Sequence, residues 1–136
     1  MDELSVLLAI ETMRLNPSYH AAEVLRRGAA EGATGLAKGA AGSPERRALY
    51  ILVSTWEVIA VLLSGLKQKD KIFEVTPICH MYEALKDAIA ILEKEVPGFG
   101  ANFAKLNNEY DAWLKKKKKS KAYIGAACGG LHAKFG

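Results

Sequence analysis

The stretch Pro44–Ser64, PERRALYILVSTWEVIAVLLS, decides the fold. Its apolar residues Leu49, Leu52, Val53, Trp56, Ile59, Ala60 and Leu63 recur at spacings of three and four, which marks one face of a helix. Ile51, Val58 and Leu62 carry the apolar surface round most of the remaining circumference. A helix apolar nearly all round belongs at the centre of a bundle. Ser43-Pro44 marks its start, because a serine oxygen accepts from an orphan amide and proline at the first position sacrifices no hydrogen bond. Gly65 is suited to end it in a left-handed turn. The apolar run over 48–66 is also about long enough to span a bilayer. Glu57 lies at its middle, where a charge is costly in lipid, and Ser54, Thr55 and Ser64 dilute it. The reading is a buried central helix and no transmembrane span.

The same punctuation divides the rest of the chain. Asn16-Pro17 and Thr76-Pro77 repeat the pattern of a capping residue followed by proline, and Pro97-Gly98 reads as a stop. Helices are predicted over about 3–15, 17–27, 44–64, 77–94 and 99–116. The first is apolar on most of its surface (Leu4, Val6, Leu7, Leu8, Ile10, Met13) and is expected to be well covered. The second places Tyr19, Ala22 and Leu25 on one side. The fourth has the clearest stripe, Ile78, Met81, Tyr82, Leu85, Ala88, Ile89 and Leu92, opposite Glu83, Lys86, Asp87 and Lys94. The last aligns Phe99, Phe103, Leu106, Tyr110, Trp113 and Leu114. Asp70 is expected to cap a short turn through Val75. No stretch alternates with period two, so no sheet is predicted.

The chain has 136 residues and a mass of 14.7 kDa, and a second hydrophobic core would leave each half too small to be stable alone. The prediction is a single-domain, all-α bundle of about five helices. Half of the residues are hydrophobic and a quarter charged, a composition that excludes intrinsic disorder. The connection over 28–42, GAAEGATGLAKGAAG, admits two readings. Its glycines disfavour a helix and suit a linker. Gly28, Gly32, Gly35, Gly39 and Gly42 also recur at 4-3-4-3 spacing, which on a helix makes a smooth stripe for close packing.

Residues 50–113 resemble a small bacterial all-helical domain family of unknown function. The resemblance is carried by Trp56-Glu57-Val58-Ile59-Ala60-Val61-Leu62, Gly65-Leu66, Asp70 and Phe73. It continues through Tyr82, Leu85 and Ile89, and ends with Phe99-Gly100-Ala101-Asn102-Phe103 and Leu106. These are mostly packing positions covering about half the chain. The resemblance implies a helical bundle and brings no catalytic residues.

Residue chemistry narrows the function. Cys79 and Cys128 are too few for a disulfide scaffold and read as reduced thiols of a cytoplasmic protein. The acidic Met-Asp-Glu start does not read as a secretory signal. Adjacent Cys79 and His80 point about 100° apart on a helix and do not chelate from one face. Cys128 and His132 are separated by a glycine pair, and His80-x-x-Glu83 reverses the di-iron order. No metal and no cofactor are predicted. Gly-x-Ser-x-Gly and phosphate-loop motifs are absent, so no enzyme is predicted. Glu57 reads as a carboxylate on a narrow polar stripe with Ser54 and Ser64, partnered by an arginine or hydroxyl; the functional alternative is an acid of raised pKa in a pocket.

The charge distribution is the remaining handle. The net charge is +4. Residues 1–114 carry 12 basic against 15 acidic residues, a net −3, whereas the seven lysines of 115–136 face no acid. The expected architecture is a mildly acidic helical body with a mobile cationic tail, in which Lys115, Lys116, Lys117, Lys118, Lys119 and Lys121 attract phosphate groups or an acidic partner. The expected function is a small non-enzymatic interaction or regulatory module that can assemble as a homo-oligomer. Its interface would use the excess apolar surface of the first and central helices, with Leu8 and Val58 as representative positions. The alternative is an electrostatic binder of nucleic acid or anionic membrane through the tail.

Overall fold

A computed structural model describes residues 2–116. Among them are seven helices and no strand: α1 (Glu3–Arg14), α2 (Pro17–Gly28), α3 (Gly32–Ala37), α4 (Pro44–Ser64), α5 (Asp70–Val75), α6 (Ile78–Glu93) and α7 (Ala101–Lys116). The all-helical class and the central helix stand as predicted from sequence. The two additional helices, α3 and α5, have six residues each. Such short pieces carry too little periodicity to stand out in a sequence.

Nine of the 21 residues of α4 are buried, and α1, α2, α3 and α7 all pack against it. α6 closes the bundle by packing on α3 and α7. The tightest joint is at Trp56, whose indole is fully buried. Its Nε1–H donates to the hydroxyl of Tyr19 on α2 at 3.0 Å. Its ring stacks on Phe103 of α7 with centroids 5.3 Å apart, and Tyr82 of α6 meets Phe103 edge-on. Four helices thus meet at one aromatic cluster, and such ring pairs contribute about 0.5–1.5 kcal/mol each beyond area burial.

Local signals are met at some helix ends and bypassed at others. The side-chain oxygens of Asn16 and Ser43 accept from the amides of Ser18 and Arg46, as the capping pattern predicts. Asp2 caps α1 by accepting from the Ser5 amide, and this bond holds its carboxyl below the ordinary aspartate range. Thr76 does not cap α6. Its carbonyl instead accepts from Ile78 N–H at 2.8 Å across Pro77, a tight γ-turn that fixes the angle between α5 and α6. Asp70 is the first residue of α5 rather than its cap. Gly65 ends α4 in the right-handed region (φ −84°), so its special freedom is unused.

Gly100 is a position where glycine is required. Its φ is +76°, and a Cβ there would lie 2.8 Å from Cγ2 of Ile89. This close approach seats the start of α7 on α6.

Two sequence expectations about exposure are corrected. α1 buries Val6 and Ile10 but leaves Leu4 and Leu8 in solvent, so it is covered on one side only. Leu25 of α2 is also exposed, unlike Tyr19 and Ala22. In the 28–42 connection, Ala33, Leu36 and Ala37 face the core, while a Cβ on Gly28, Gly32 or Gly42 would meet nothing within 4 Å and only Gly39 among the five glycines is tightly approached, by Ser43 Oγ at 2.9 Å. The small helix packs through its alanines and leucine, not through a glycine stripe.

Burial and the nearby Glu23 carboxylate push the Tyr19 phenol up to about 12, although the Trp56 N–H acts in the opposite direction. On unfolding the group returns to its ordinary value of 10.0. The folded pKa is raised, so its contribution to stability is complete below pH 10.0 and is lost as pH climbs towards 12. Tyr19→Phe should remove this part of the alkaline loss and, by stranding the buried Trp56 N–H, cost about 1–3 kcal/mol at neutral pH. Urea unfolding at neutral and alkaline pH measures both; an identical alkaline slope in the two proteins would contradict the assignment.

Candidate functional site

Two surfaces and one half-buried carboxylate, Glu57, stand out from the packing. The first surface is apolar. Leu4 and Leu8 are one turn apart on α1, so they share a face, and Leu8 is 70% exposed. On α4, Val58 and Val61 are likewise exposed, at 49% and 57%, along a line with exposed Ser54. α1 packs directly on α4. Both sequence-predicted interface positions, Leu8 and Val58, therefore lie in solvent on neighbouring helices.

The second surface is a wide-mouthed groove of about 420 Å³ between the α4–α5 connection, α5 and the last turns of α7. Lys67, Lys69, Asp70, Glu109, Trp113 and Lys116 line it, with Phe73 at its base. The groove is organised by cross-helix bonds. Trp113 Nε1–H donates to Asp70 Oδ1 at 2.6 Å, and Lys69 Nζ pairs with the Glu109 carboxylate. Phe73 holds the Trp113 ring edge-on and Tyr110 lies tilted against it. Lys67 and Lys116 are exposed and form no ion pair among the described residues.

Lys115 and Lys116 are the last two residues of α7. The other lysines assigned from sequence, Lys117, Lys118, Lys119 and Lys121, lie outside the described residues, as do Cys128 and His132.

Glu57 has a definite structural partner. Its Oε2 accepts from the backbone N–H of Phe103, the third residue of α7, at 2.8 Å. The first amides of a helix lack intrahelical acceptors and carry partial positive charge, so an anion is stabilised there. The partner is neither the arginine nor the hydroxyl expected from sequence. A backbone amide can be supplied by any residue type, so composition holds no sign of it. Glu57 thus ties the centre of α4 to the start of α7.

Arg46 escaped sequence reading because it sits in an ordinary Glu-Arg-Arg run. It is buried, its Nε donates to the Ala37 carbonyl at 2.8 Å, and its guanidinium pairs with Glu95. It closes the end of α3 and reaches the residues just after α6. Cys79 is buried on α6 beside half-buried His80. No group of three or more His, Cys, Asp and Glu side chains suited to a metal occurs among the described residues. α4 is the one described helix long and apolar enough to cross a membrane by length and composition; its inner face is core.

Glu57→Ala should cost about 0.5–2 kcal/mol through loss of the α7 cap, and Glu57→Gln, which keeps a carbonyl acceptor, should recover most of it. Urea midpoints at neutral pH decide this, and an alanine variant as stable as the parent would remove the capping role. Comparison with family models, with curated proteins and with solved structures finds no match to this chain, so function rests on these surfaces.

Proposed function

We propose that this protein is a small non-enzymatic interaction module that docks through the exposed apolar residues of α1 and α4, with a second copy of the chain as the simplest partner. The carrying observation is the exposure of Leu4, Leu8, Val58 and Val61 on two helices that pack together. Removing one such leucine or valine from water contributes roughly 1.5–3 kcal/mol. Several together are enough to drive a weak, reversible association. The inner positions of the same helices, Val6, Ile10, Trp56 and Ile59, are already buried, so the outer face is available without disturbing the core.

A second reading is supported by Lys115 and Lys116, exposed at the end of α7 and followed in sequence by Lys117, Lys118, Lys119 and Lys121. A cationic end of this density attracts polyanions and makes the affinity steeply dependent on salt.

Sedimentation over a concentration series tests the first reading. The parent chain should associate, whereas Leu8→Asp and Val58→Asp should sediment as monomers with unchanged helical circular dichroism. A parent chain that stays monomeric at about millimolar concentration, where a contact of roughly 4 kcal/mol would register, rules out self-association.

For the second reading, replacing Lys117, Lys118, Lys119 and Lys121 by Gln in the full chain should sharply weaken binding to oligonucleotides or acidic vesicles. Binding that survives the replacement unchanged would end the tail's claim.

A further inference from the structure

We propose that two copies of this chain pack antiparallel along the outer face of α4, a geometry that rests on the self-association reading and gives it a register. On α4 and its cap, Arg47, Ile51, Ser54, Val58, Val61 and Gly65 follow one another at alternating spacings of four and three. This is the spacing of a two-helix seam, in which side chains of one helix insert between those of the other. Ile51 is half-buried and the other five are exposed, so the line runs along the side of α4 that its own bundle leaves open. Leu49, Trp56 and Leu63 lie on the opposite side of the helix and are fully buried. The seam and the core therefore use different side chains.

A second copy fits this line because the line is complementary to itself. In a two-fold contact, residue i meets j and j meets i. With the axis at the level of Trp56, Ser54 of one copy lies opposite Val58 of the other, Ile51 opposite Val61, and Arg47 opposite Gly65. Ser54 and Gly65 are the small members of their layers and leave room for the valine and for the arginine stem. The Arg47 guanidinium then meets the C-terminal end of the other α4, where the last carbonyls carry partial negative charge. One step further out, Glu45 in the first turn of one α4 approaches Lys67, just past the end of the other.

These charges select the antiparallel arrangement. Glu45, Arg47 and Lys67 are exposed, and none forms an ion pair among the described residues. A parallel pair would set each against its own counterpart, like charge on like charge. The antiparallel pair joins opposites at both ends. Within one chain, Glu45 and Lys67 lie at opposite ends of a 21-residue helix, about 30 Å apart at the helical rise per residue. Only a second copy brings them together.

The test measures the dimer constant of the full chain by sedimentation equilibrium at low salt, with circular dichroism as the control for folding. Glu45→Lys alone and Lys67→Glu alone should each weaken dimerisation roughly fivefold, because each reverses one partner in two symmetric ion pairs. Glu45→Lys combined with Lys67→Glu re-forms both pairs with the signs exchanged and should restore the parent constant. Val58→Asp should abolish the dimer.

Single changes without effect, or a combined change that does not restore association, would overturn the antiparallel seam while the self-association reading stands. A dimer that survives Val58→Asp in a folded chain would likewise overturn the seam and move the contact off α4. A parent chain that stays monomeric would overturn both. Glu45 and Lys67 are exposed, so the charge exchange decides the matter even if Val58→Asp fails to fold.

Discussion

The packing of this bundle depends on the indole of Trp56. It is the largest fully buried side chain, and it is satisfied on every side: Tyr19 accepts its N–H, and Phe103 stacks on its face. Through it α2 and α7 take fixed positions on α4, and through Phe103 the position of Tyr82 on α6 follows. The next residue of α4, Glu57, reaches the first turn of α7 and holds the same helix by its backbone. A stacked ring and a capped amide on successive residues, Trp56 and Glu57, leave α7 little freedom to slide or rotate.

This anchoring has consequences at the far end of α7. Because its start is fixed on α4 and seated on α6 at Gly100, its last turns arrive beside α5, where Phe73 and Asp70 receive Trp113. The groove is thus a product of the core. Its aromatic wall is delivered by that packing, with Lys67 between α4 and α5 and Lys116 in the last turn of α7. The exposed apolar residues of α1 and α4 have a different origin. α4 must be apolar inward against its neighbours, yet α1 covers only part of its outer side, so Val58 and Val61 remain exposed.

The helices were largely legible because their signals are local. The stripe of α6 is buried as its spacing predicts apart from half-buried Tyr82, and two of the three capping residues before prolines cap as expected. Thr76 is the exception because a γ-turn at Pro77 uses its carbonyl instead. The small helices α3 and α5 were hidden, since two turns offer too few residues for a pattern. Of the candidate sites, Leu8 and Val58 could be proposed from an excess of apolar residues. The groove could not, because Lys67, Trp113 and Lys116 are ordinary residues until α5 and α7 are side by side.

The sequence by itself determined that the chain is helical, where its long helices run, that α4 is central, and that positive charge gathers after residue 114. Periodicity, capping and composition act over a few residues, so they are readable without coordinates. Tertiary structure alone decided which faces of α1 and α4 stay wet, that Glu57 caps a helix 46 residues away, and that Arg46 is buried between α3 and Glu95. It also brought Asp70 to Trp113 across 43 residues. Such contacts join groups distant in the chain through ordinary donors and acceptors, and only the folded backbone sets which of them meet.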